Sequence, residues 1–379
     1  MPTAWHEACI MLQYADITSH IENWRKTMKH TMWFAIFLAC FLVVGRASGA
    51  TYYISASMGS DDYNVAQAQS KSTPWAHAPG MADVSGNAAS YTPVAGDRFI
   101  FKGGDTWTNS SLKWTWKWSG TSGSRIILGV DKSWFSGGSW ARPILTAGGT
   151  EASADNLYLR FDTDYVTLDN FEFTKARFAS GYPYGGNAYI NTGTSKYLII
   201  ENCYFHGWID GTPDTGAAIL STSQLPSLNV GMEIRYNVVD GSDVAVVLAD
   251  PNCTGACQAS GIAFWYGPIV HHNVCRYLSN CYVGAAESFH DNLIEHIRWS
   301  TRSGEVHENG FENNSDPCAT GLLFYNNVLR HIHAGVNIWI APQKGCAPSY
   351  AFNNVSYDTP AGNVFDMRKP TVCFPLDAS

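Results

Sequence analysis

Three basic side chains stand at equivalent positions in this sequence, each two residues before an asparagine. They are Arg235, His271 and His290. An imidazole exchanges a proton near neutral pH, and a guanidinium binds carboxylates. A row of such groups therefore favours binding of an acidic sugar and transfer of one of its protons. The alternative is an exposed strand face whose polar side chains have no catalytic role.

A second group of residues with catalytic potential lies in the most polar run of the chain, GEVHENGFENN at 304–314. His307 stands beside Glu308 and follows Arg302 by five residues. A histidine next to carboxylates can act as a general base, and an arginine can stabilise the negative charge that forms during proton abstraction. We expect Glu308 to be a weaker candidate, as an acid. The alternative is a solvated, loop-like strand.

Tryptophans alternate with lysine or threonine in the segment KWTWKW, which contains Trp114, Trp116 and Trp118. Alternate residues of a strand share one face, and flat aromatic rings suit sugar rings. The pattern predicts an exposed aromatic row that binds substrate. The alternative is an aromatic cover over the first part of the fold.

Aspartates recur in the segments IDGTPD at 209–214 and DGSD at 240–243. A glycoside hydrolase needs two carboxyl groups at a set separation, and a lyase can use Ca²⁺ held by several oxygens. These contexts are also typical of turns, which leaves both readings open. The sequence therefore leaves the cofactor open, with Ca²⁺ as one option that has no assigned ligands.

The elements that position these residues follow from a repeat. A short apolar run followed by asparagine recurs seven times at spacings of 19 to 36 residues, with the asparagines at Asn170, Asn202, Asn237, Asn273, Asn292, Asn327 and Asn354. Repeats of this length indicate a solenoid whose coils bury their apolar faces against each other. Asparagine suits a corner because it tolerates left-handed backbone angles. By alternation, Arg235, His271 and His290 should point outward.

The repeats and the opening segments TYYISAS, GSDD, STPWAHAPG and AGDRFIFKGG resemble secreted right-handed parallel β-helix proteins of the pectate-lyase-like superfamily. The resemblance covers residues 51–379 and implies an all-β parallel β-helix with a surface that faces glycans. It supplies no catalytic residues, because no complete signature of a lyase or hydrolase family is present. We expect one domain, with 51–150 forming an amino-terminal cap and the first coils, and 151–379 forming the asparagine coils.

Residues 1–50 have the order of a secretory signal, with basic residues, the apolar run TMWFAIFLACFLVVG and the small residues ASGA. Met28 is an alternative start, and a signal anchor is the competing interpretation. Without the leader, 20 basic and 29 acidic residues remain, a net charge of −9. No basic block stands out, which argues against a nucleic-acid partner. We expect a secreted or cell-surface monomer without stable membrane insertion.

Eight of the ten cysteines follow the leader, and an even number in an exported chain favours disulfides. The phase of the repeat predicts a Cys318–Cys346 pair, and the short spacing predicts Cys253–Cys257. Cys203 directly follows a repeat asparagine and is expected to be a buried thiol.

These observations predict a polysaccharide lyase that cleaves an acidic glycan by β-elimination. A cation or arginine would neutralise the uronate, and a histidine would remove the adjacent proton. The alternatives are a glycoside hydrolase on the same fold and a non-catalytic surface or matrix protein that binds glycans.

Overall fold

Short parallel strands form almost all the regular structure of this protein. The computed structural model describes residues 49–148, 157–178, 188–210, 217–221, 229–243, 260–264, 267–297, 309–313, 321–332, 338–340, 348–359 and 365–367. Helical structure in these ranges is limited to the 3-10 turn Gln67–Gln69 and the α-helix Gly86–Ser90. All strand pairs between coils are parallel, as the repeat requires.

Three large sheets run along the molecule. The first sheet consists of β1 (Thr51–Ile54), β2 (Arg98–Gly103), β5 (Ile126–Phe135), β8 (Val166–Asp169), β12 (Ile199–Glu201), β16 (Glu233–Arg235), β19 (Ile269–His271), β22 (Ser288–His290), β25 (Leu323–Tyr325) and β28 (Tyr350–Phe352). The second sheet consists of β3 (Thr106–Trp107), β6 (Ile144–Thr146), β9 (Glu172–Thr174), β13 (Tyr204–His206), β17 (Val238–Asp240), β20 (Val274–Arg276), β23 (Leu293–Glu295), β26 (Val328–Arg330) and β29 (Val355–Tyr357).

The third sheet consists of β4 (Trp114–Trp116), β7 (Leu157–Phe161), β11 (Ala188–Asn191), β15 (Ala217–Ser221), β18 (Ser260–Phe264), β21 (Asn280–Gly284), β24 (Phe311–Asn313), β27 (Ile338–Ile340) and β30 (Phe365–Met367). A fourth, two-stranded sheet pairs β10 (Ala176–Phe178) with β14 (Trp208–Asp210). The chain visits the first, second and third sheets in turn and then starts the next coil. This order confirms the predicted parallel β-helix, and parallel crossovers are right-handed in nearly all proteins.

The core consists of stacked apolar side chains contributed by the strands of each coil. In the first sheet, strands β8, β12, β16, β19, β22 and β25 each contribute an inward-pointing, buried residue, and these residues are Leu168, Ile200, Ile234, Val270, Phe289 and Phe324. The second sheet contributes Phe173, Phe205, Val239, Ile294 and Leu329 in the same way. Because a coil contacts only its neighbours, this stacking supplies most of the apolar burial.

A ladder of buried asparagines joins the first sheet to the second. The backbone N–H of Asn237 donates to Oδ1 of Asn273 at 2.9 Å, and the backbone N–H of Asn273 donates to Oδ1 of Asn292 at 2.9 Å. Asn327 and Asn354 continue the series. Each amide also donates to a backbone carbonyl of a neighbouring coil, as Asn237 does to Ile200. The ladder therefore satisfies backbone groups that a buried corner would otherwise leave unpaired.

The first two repeat asparagines occupy a different position, so the predicted phase of the repeat was wrong there by one residue. Asn170 and Asn202 have left-handed backbone angles (φ 69° and 56°), and the ladder position that follows them is filled by Phe171 and Cys203. In later coils the left-handed corner residues are Tyr236, His272, Asp291, Asn326 and Asn353. Asparagine is favoured at both positions, which is why residue type alone did not separate them.

The tryptophan row faces inward rather than outward, which corrects the predicted sugar-binding face. Trp114 and Trp116 are 0% exposed, and their indole N–H groups donate to the carbonyls of Pro79 and Trp118. Trp118 packs against the core as a partly buried side chain. Alternation put the two central rings on one face as predicted, but that face is the interior because large rings fill the first coils.

The structure describes only some of the cysteines. Cys203 is a buried free thiol as predicted, and its backbone N–H donates to Asn237 of the ladder. The structure joins Cys275 to Cys281 in a disulfide that the spacing did not predict. Both predicted pairs, Cys318–Cys346 and Cys253–Cys257, lie outside the described residues. So does the leader, and no described helix is long and apolar enough to cross a membrane.

Candidate functional site

The row of Arg235, His271 and His290 lies on the outward face of the first sheet. Arg235 is the direct register partner of His271, and His271 is the partner of His290, so the three lie on consecutive coils. Their side chains are 27%, 14% and 16% exposed. The predicted alignment is confirmed, and neighbouring coils cover much of each side chain.

The same register extends the row in both directions. The first-sheet column, as we call it, comprises Asp169, Glu201, Arg235, His271, His290, Tyr325 and Phe352. Leu168 and Ile200 stand two residues before Asn170 and Asn202, but because those asparagines are shifted by one position, both residues belong to the core and not to this column. The column thus runs from acidic groups through a guanidinium and imidazoles to aromatic rings.

Two carboxylates hold the guanidinium of Arg235. Its Nε donates to Glu201 Oε2 at 2.7 Å, and its Nη1 donates to Glu233 Oε2 at 2.5 Å. Burial opposes the charge, but these hydrogen bonds and the adjacent carboxylates raise the pKa of Arg235. The three groups sum to a charge of −1. Arg235 is therefore a fixed, compensated cation.

Two consecutive histidines meet edge to edge at the end of β19. Neighbouring residues of a strand normally point to opposite faces. The strand ends at His271, however, and His272 has a left-handed backbone angle (φ 57°) that turns its ring to the same side. The two Nδ1 atoms are 2.8 Å apart, so one ring donates a hydrogen bond to the other. This contact depends on the corner and could not be derived from alternation.

The rings along the column are stacked. His271 lies over His290 with centroids 4.9 Å apart and an interplanar angle of 8°, and His290 lies over Tyr325 at 4.6 Å. Phe352 continues the stack at 5.1 Å from Tyr325. Nδ1 of His290 is 2.7 Å from Asp291 Oδ2, which orients its ring. Stacking at the inter-strand spacing fixes the ring planes without a dedicated pocket.

His271 is the proton acceptor that this environment favours. Burial lowers the pKa of His271, and the nearby imidazoles of His290 and His272 lower it further, whereas Glu233 opposes the change. The neutral ring therefore predominates at neutral pH and keeps a lone pair for a proton. His271 Nε2 lies 3.7 Å from Glu233 Oε2.

Arg125, which no sequence pattern singles out, also lies on this face. Its guanidinium donates to Thr167 Oγ1 at 3.1 Å and to the carbonyls of Val166 and Tyr197. Burial is the main cause that lowers the pKa of Arg125. The side chain starts just before β5 and reaches across two coils, so no local pattern could have identified it.

A second outward column, on the second sheet, contains His206, Asp240, Arg276, Glu295, Arg330 and Tyr357. Arg276 pairs with Asp240 at 2.7 Å, and Arg330 pairs with Glu295 at 2.5 Å. Both ring nitrogens of His206 are engaged, by Asp243 at 2.6 Å and Glu172 at 3.0 Å. Each charged group of this second-sheet column thus already has an opposite partner within the protein.

The other predicted catalytic residues, Arg302, His307 and Glu308, lie outside the described residues. The strands that bracket them in the chain, β23 and β24, belong to the second and third sheets. Asn309 is the first described residue of the run 304–314. It is buried, and its side-chain amide donates to Glu312 Oε2 at 2.7 Å rather than facing outward. The first-sheet column is therefore the site that the described residues assemble.

Known proteins resemble this chain in structure and not in sequence. No family model matches, and no curated protein matches. Pectate lyase Pel9A is 15% identical with a TM-score of 0.44, over 87% of this chain and 83% of its own. A rhamnogalacturonan lyase is 12% identical with a TM-score of 0.43, over 76% and 73% of the two chains. An alginate lyase from Paenibacillus sp. str. FPU-7 is 14% identical with a TM-score of 0.37, over 72% and 91%. Likeness at this level assigns no reaction.

Proposed function

We propose that this chain is a secreted, carbohydrate-active β-helix protein that cleaves an acidic polysaccharide by β-elimination. The site is the outward face of the first sheet. The observation that carries the proposal is the alignment of Arg235, His271 and His290 on consecutive coils. A linear glycan lying along the helix axis would meet these groups in succession.

In this scheme His271 is the base. Its imidazole takes the proton from the carbon beside the uronate carboxylate, and the electrons of that C–H bond form a carbon–carbon double bond. The glycosidic C–O bond breaks, and the leaving oxygen takes a proton from solvent. His290 stacks on His271 and keeps its ring plane fixed, while Arg235 and its carboxylates position the neighbouring sugar.

The local charge determines how an anionic sugar can approach. Glu201 and Glu233 outweigh Arg235 by one charge, and Arg125 on the same face offsets that excess, so these four groups offer a uronate no net attraction. Calcium would supply a positive charge between substrate and protein. We therefore propose that turnover depends on a hard divalent cation in solution. Arg302 remains a candidate for the same role.

The two alternative functions, glycoside hydrolysis and glycan binding without catalysis, require different features of this face. A hydrolase needs one carboxyl group that donates a proton across the bond from a second one. Glu201 and Glu233 instead both accept hydrogen bonds from Arg235, which favours a holding role. Glycan binding without catalysis is favoured by the exposed rings of Tyr236, Tyr350 and Phe352 on the same sheet and its corner.

One assay separates these functions. The purified protein is incubated with pectins, alginates and glycosaminoglycans, with Ca²⁺ or with a chelator. Ultraviolet absorbance of unsaturated ends and the release of reducing ends are followed together. A lyase raises both signals, and a hydrolase raises reducing ends alone. Binding of a glycan without either signal would reject the enzymatic proposal in favour of a binding protein.

A further inference from the structure

Three imidazoles converge at the corner where β19 and β22 end. One ligand atom from each of His271, His272 and His290 lies within 4.8 Å of the other two. Among the described residues this is the one group of at least three histidine, cysteine or carboxylate side chains that approach each other so closely. We propose that it binds a first-row transition-metal dication such as Zn²⁺.

The distances require only small movements. Two imidazole nitrogens bound to one Zn²⁺ at about 2.0–2.1 Å in tetrahedral geometry stand roughly 3.3 Å apart. The Nδ1 atoms of His271 and His272 are 2.8 Å apart, so they need to separate by about half an ångström. The third nitrogen has to approach by at most about 1.5 Å, and the exposed ring of His272 can move to meet it.

The present contact between His271 and His272 leaves one nitrogen of the pair acting as acceptor. A metal ion bound between the rings replaces this single hydrogen bond with two nitrogen–metal bonds. The donated proton moves through solvent to Nε2 of the same ring, so both ligands stay neutral imidazoles. Imidazole donors suit Zn²⁺, Cu²⁺, Ni²⁺ and Co²⁺, whereas Ca²⁺ requires oxygen ligands. The site therefore distinguishes transition metals from the hard cation of the proposed lyase reaction.

Two of the three imidazole rings also have a carboxylate close to one ring nitrogen. Asp291 Oδ2 is 2.7 Å from Nδ1 of His290, and Glu233 Oε2 is 3.7 Å from Nε2 of His271. A carboxylate behind a metal-bound histidine orients the ring and makes it a stronger donor. The nearby guanidinium of Arg235 is compensated by two carboxylates and so does not repel a dication strongly.

The corner that follows the strands of the second sheet provides a matched control. His296 and His331 are also left-handed corner residues, with rings stacked at 4.6 Å. Tyr277 continues that stack, and His331 pairs with Asp358. Stacked imidazoles thus occur on both sheets, but among the described residues a third imidazole meets such a pair only on the first sheet, through the left-handed corner residue His272.

If the proposed lyase function is correct, metal binding has a second consequence. The lone pair that His271 would use as a base is then taken by the metal, so Zn²⁺ inhibits turnover that Ca²⁺ supports. This consequence rests on the proposed function, whereas metal binding itself does not.

The test is a titration of the full-length protein with CoCl₂ in imidazole-free buffer at neutral pH. Visible absorption reports coordination by nitrogen, and equilibrium dialysis with ZnCl₂ gives the stoichiometry. We expect one ion per chain. His272→Ala should weaken binding at least tenfold, and Asp291→Asn should weaken it about tenfold. His331→Ala should leave binding unchanged. Circular dichroism confirms that each variant is folded.

The proposal is overturned if the wild-type protein binds no stoichiometric Co²⁺ or Zn²⁺. It is also overturned if His272→Ala binds as tightly as wild type, or if His331→Ala removes the signal. Because the cobalt spectrum needs no substrate, a failed lyase assay leaves this result unaffected. Stoichiometric metal binding, together with no turnover of the transition-metal-free protein in Ca²⁺, would reject the lyase and retain the site.

Discussion

The outward columns of the first and second sheets arise from the same register and use similar residue types, but their side chains are satisfied differently. On the second sheet, Arg276 and Arg330 each pair with one carboxylate, and His206 is bound at both ring nitrogens. On the first sheet, Arg235 has two carboxylates, His290 pairs with Asp291, and His271 bonds to His272. A column in which every charged side chain has an oppositely charged partner supports the fold. The contact between two imidazoles on the first sheet leaves nitrogen atoms that can take a proton or a ligand.

The largest expected difference is in catalysis. Under the proposed lyase function, His271→Ala removes the base and should lower kcat by about 10²- to 10⁴-fold. Arg330→Gln on the second sheet should leave kcat unchanged. Initial rates of unsaturated-end formation measure both. Equal losses in the two variants would mean that the first sheet has no special role.

The next effect is the pH dependence of stability on the second sheet. Burial opposes the charge of His206, but hydrogen bonds to Asp243 and Glu172 outweigh it and raise its pKa from 6.5 to about 9. Because the folded pKa is the higher one, this stabilisation is complete below pH 6.5 and is lost as pH rises through about 9. It amounts to at most about 3 kcal/mol.

Chemical denaturation between pH 6 and 10 tests this expectation. His206→Gln cannot titrate, so its stability should vary less with pH over that window. A wild-type curve as flat as that of His206→Gln would contradict the assignment of a buried imidazolium.

A smaller loss of stability is expected from the paired carboxylate of the second sheet. Asp240 is buried and accepts hydrogen bonds from Arg276 and from the backbone N–H of Ser242. Asp240→Asn keeps the shape and removes the charge. Since Arg276 is 39% exposed, water screens part of the interaction, and we expect a cost of about 2 kcal/mol in unfolding free energy. Urea denaturation measures it, and catalytic activity should not change.

The smallest effect is expected at the aromatic end of the first-sheet column. Phe352 stacks on Tyr325 and is more than half exposed. Phe352→Ala should cost about 0.5 to 1 kcal/mol in stability and have little effect on kcat. A loss of activity comparable to that of His271→Ala would extend the catalytic surface to the aromatic rings.

The fold was predictable because coil stacking imposes a recurrent pattern on the sequence. Repeated asparagines behind apolar runs predicted the ladder, and five of the seven occupy it. Asn170 and Asn202 were misaligned because asparagine is favoured both in the ladder and at the left-handed corner before it. The inward direction of Trp114 and Trp116 was missed for a related reason, since alternation groups residues by face without saying which face is interior.

The candidate site was predictable only in part. The row of Arg235, His271 and His290 followed from the repeat phase, whereas Asp169 and Glu201 entered the column once the register was corrected. Glu233 was missed although alternation puts it on the same face of β16 as Arg235, two residues later. His272 was missed because a left-handed corner, rather than strand alternation, turns its ring toward His271.

By itself the sequence determined a parallel solenoid, its asparagine ladder and the identity of three aligned basic residues, because periodic burial leaves a periodic record in residue types. Tertiary structure decided which charges neutralise each other, which rings stack and which nitrogens meet. Those outcomes depend on corner angles and on side chains that reach between coils 19 to 36 residues apart in sequence. At such separations no local sequence pattern predicts which side chains will meet.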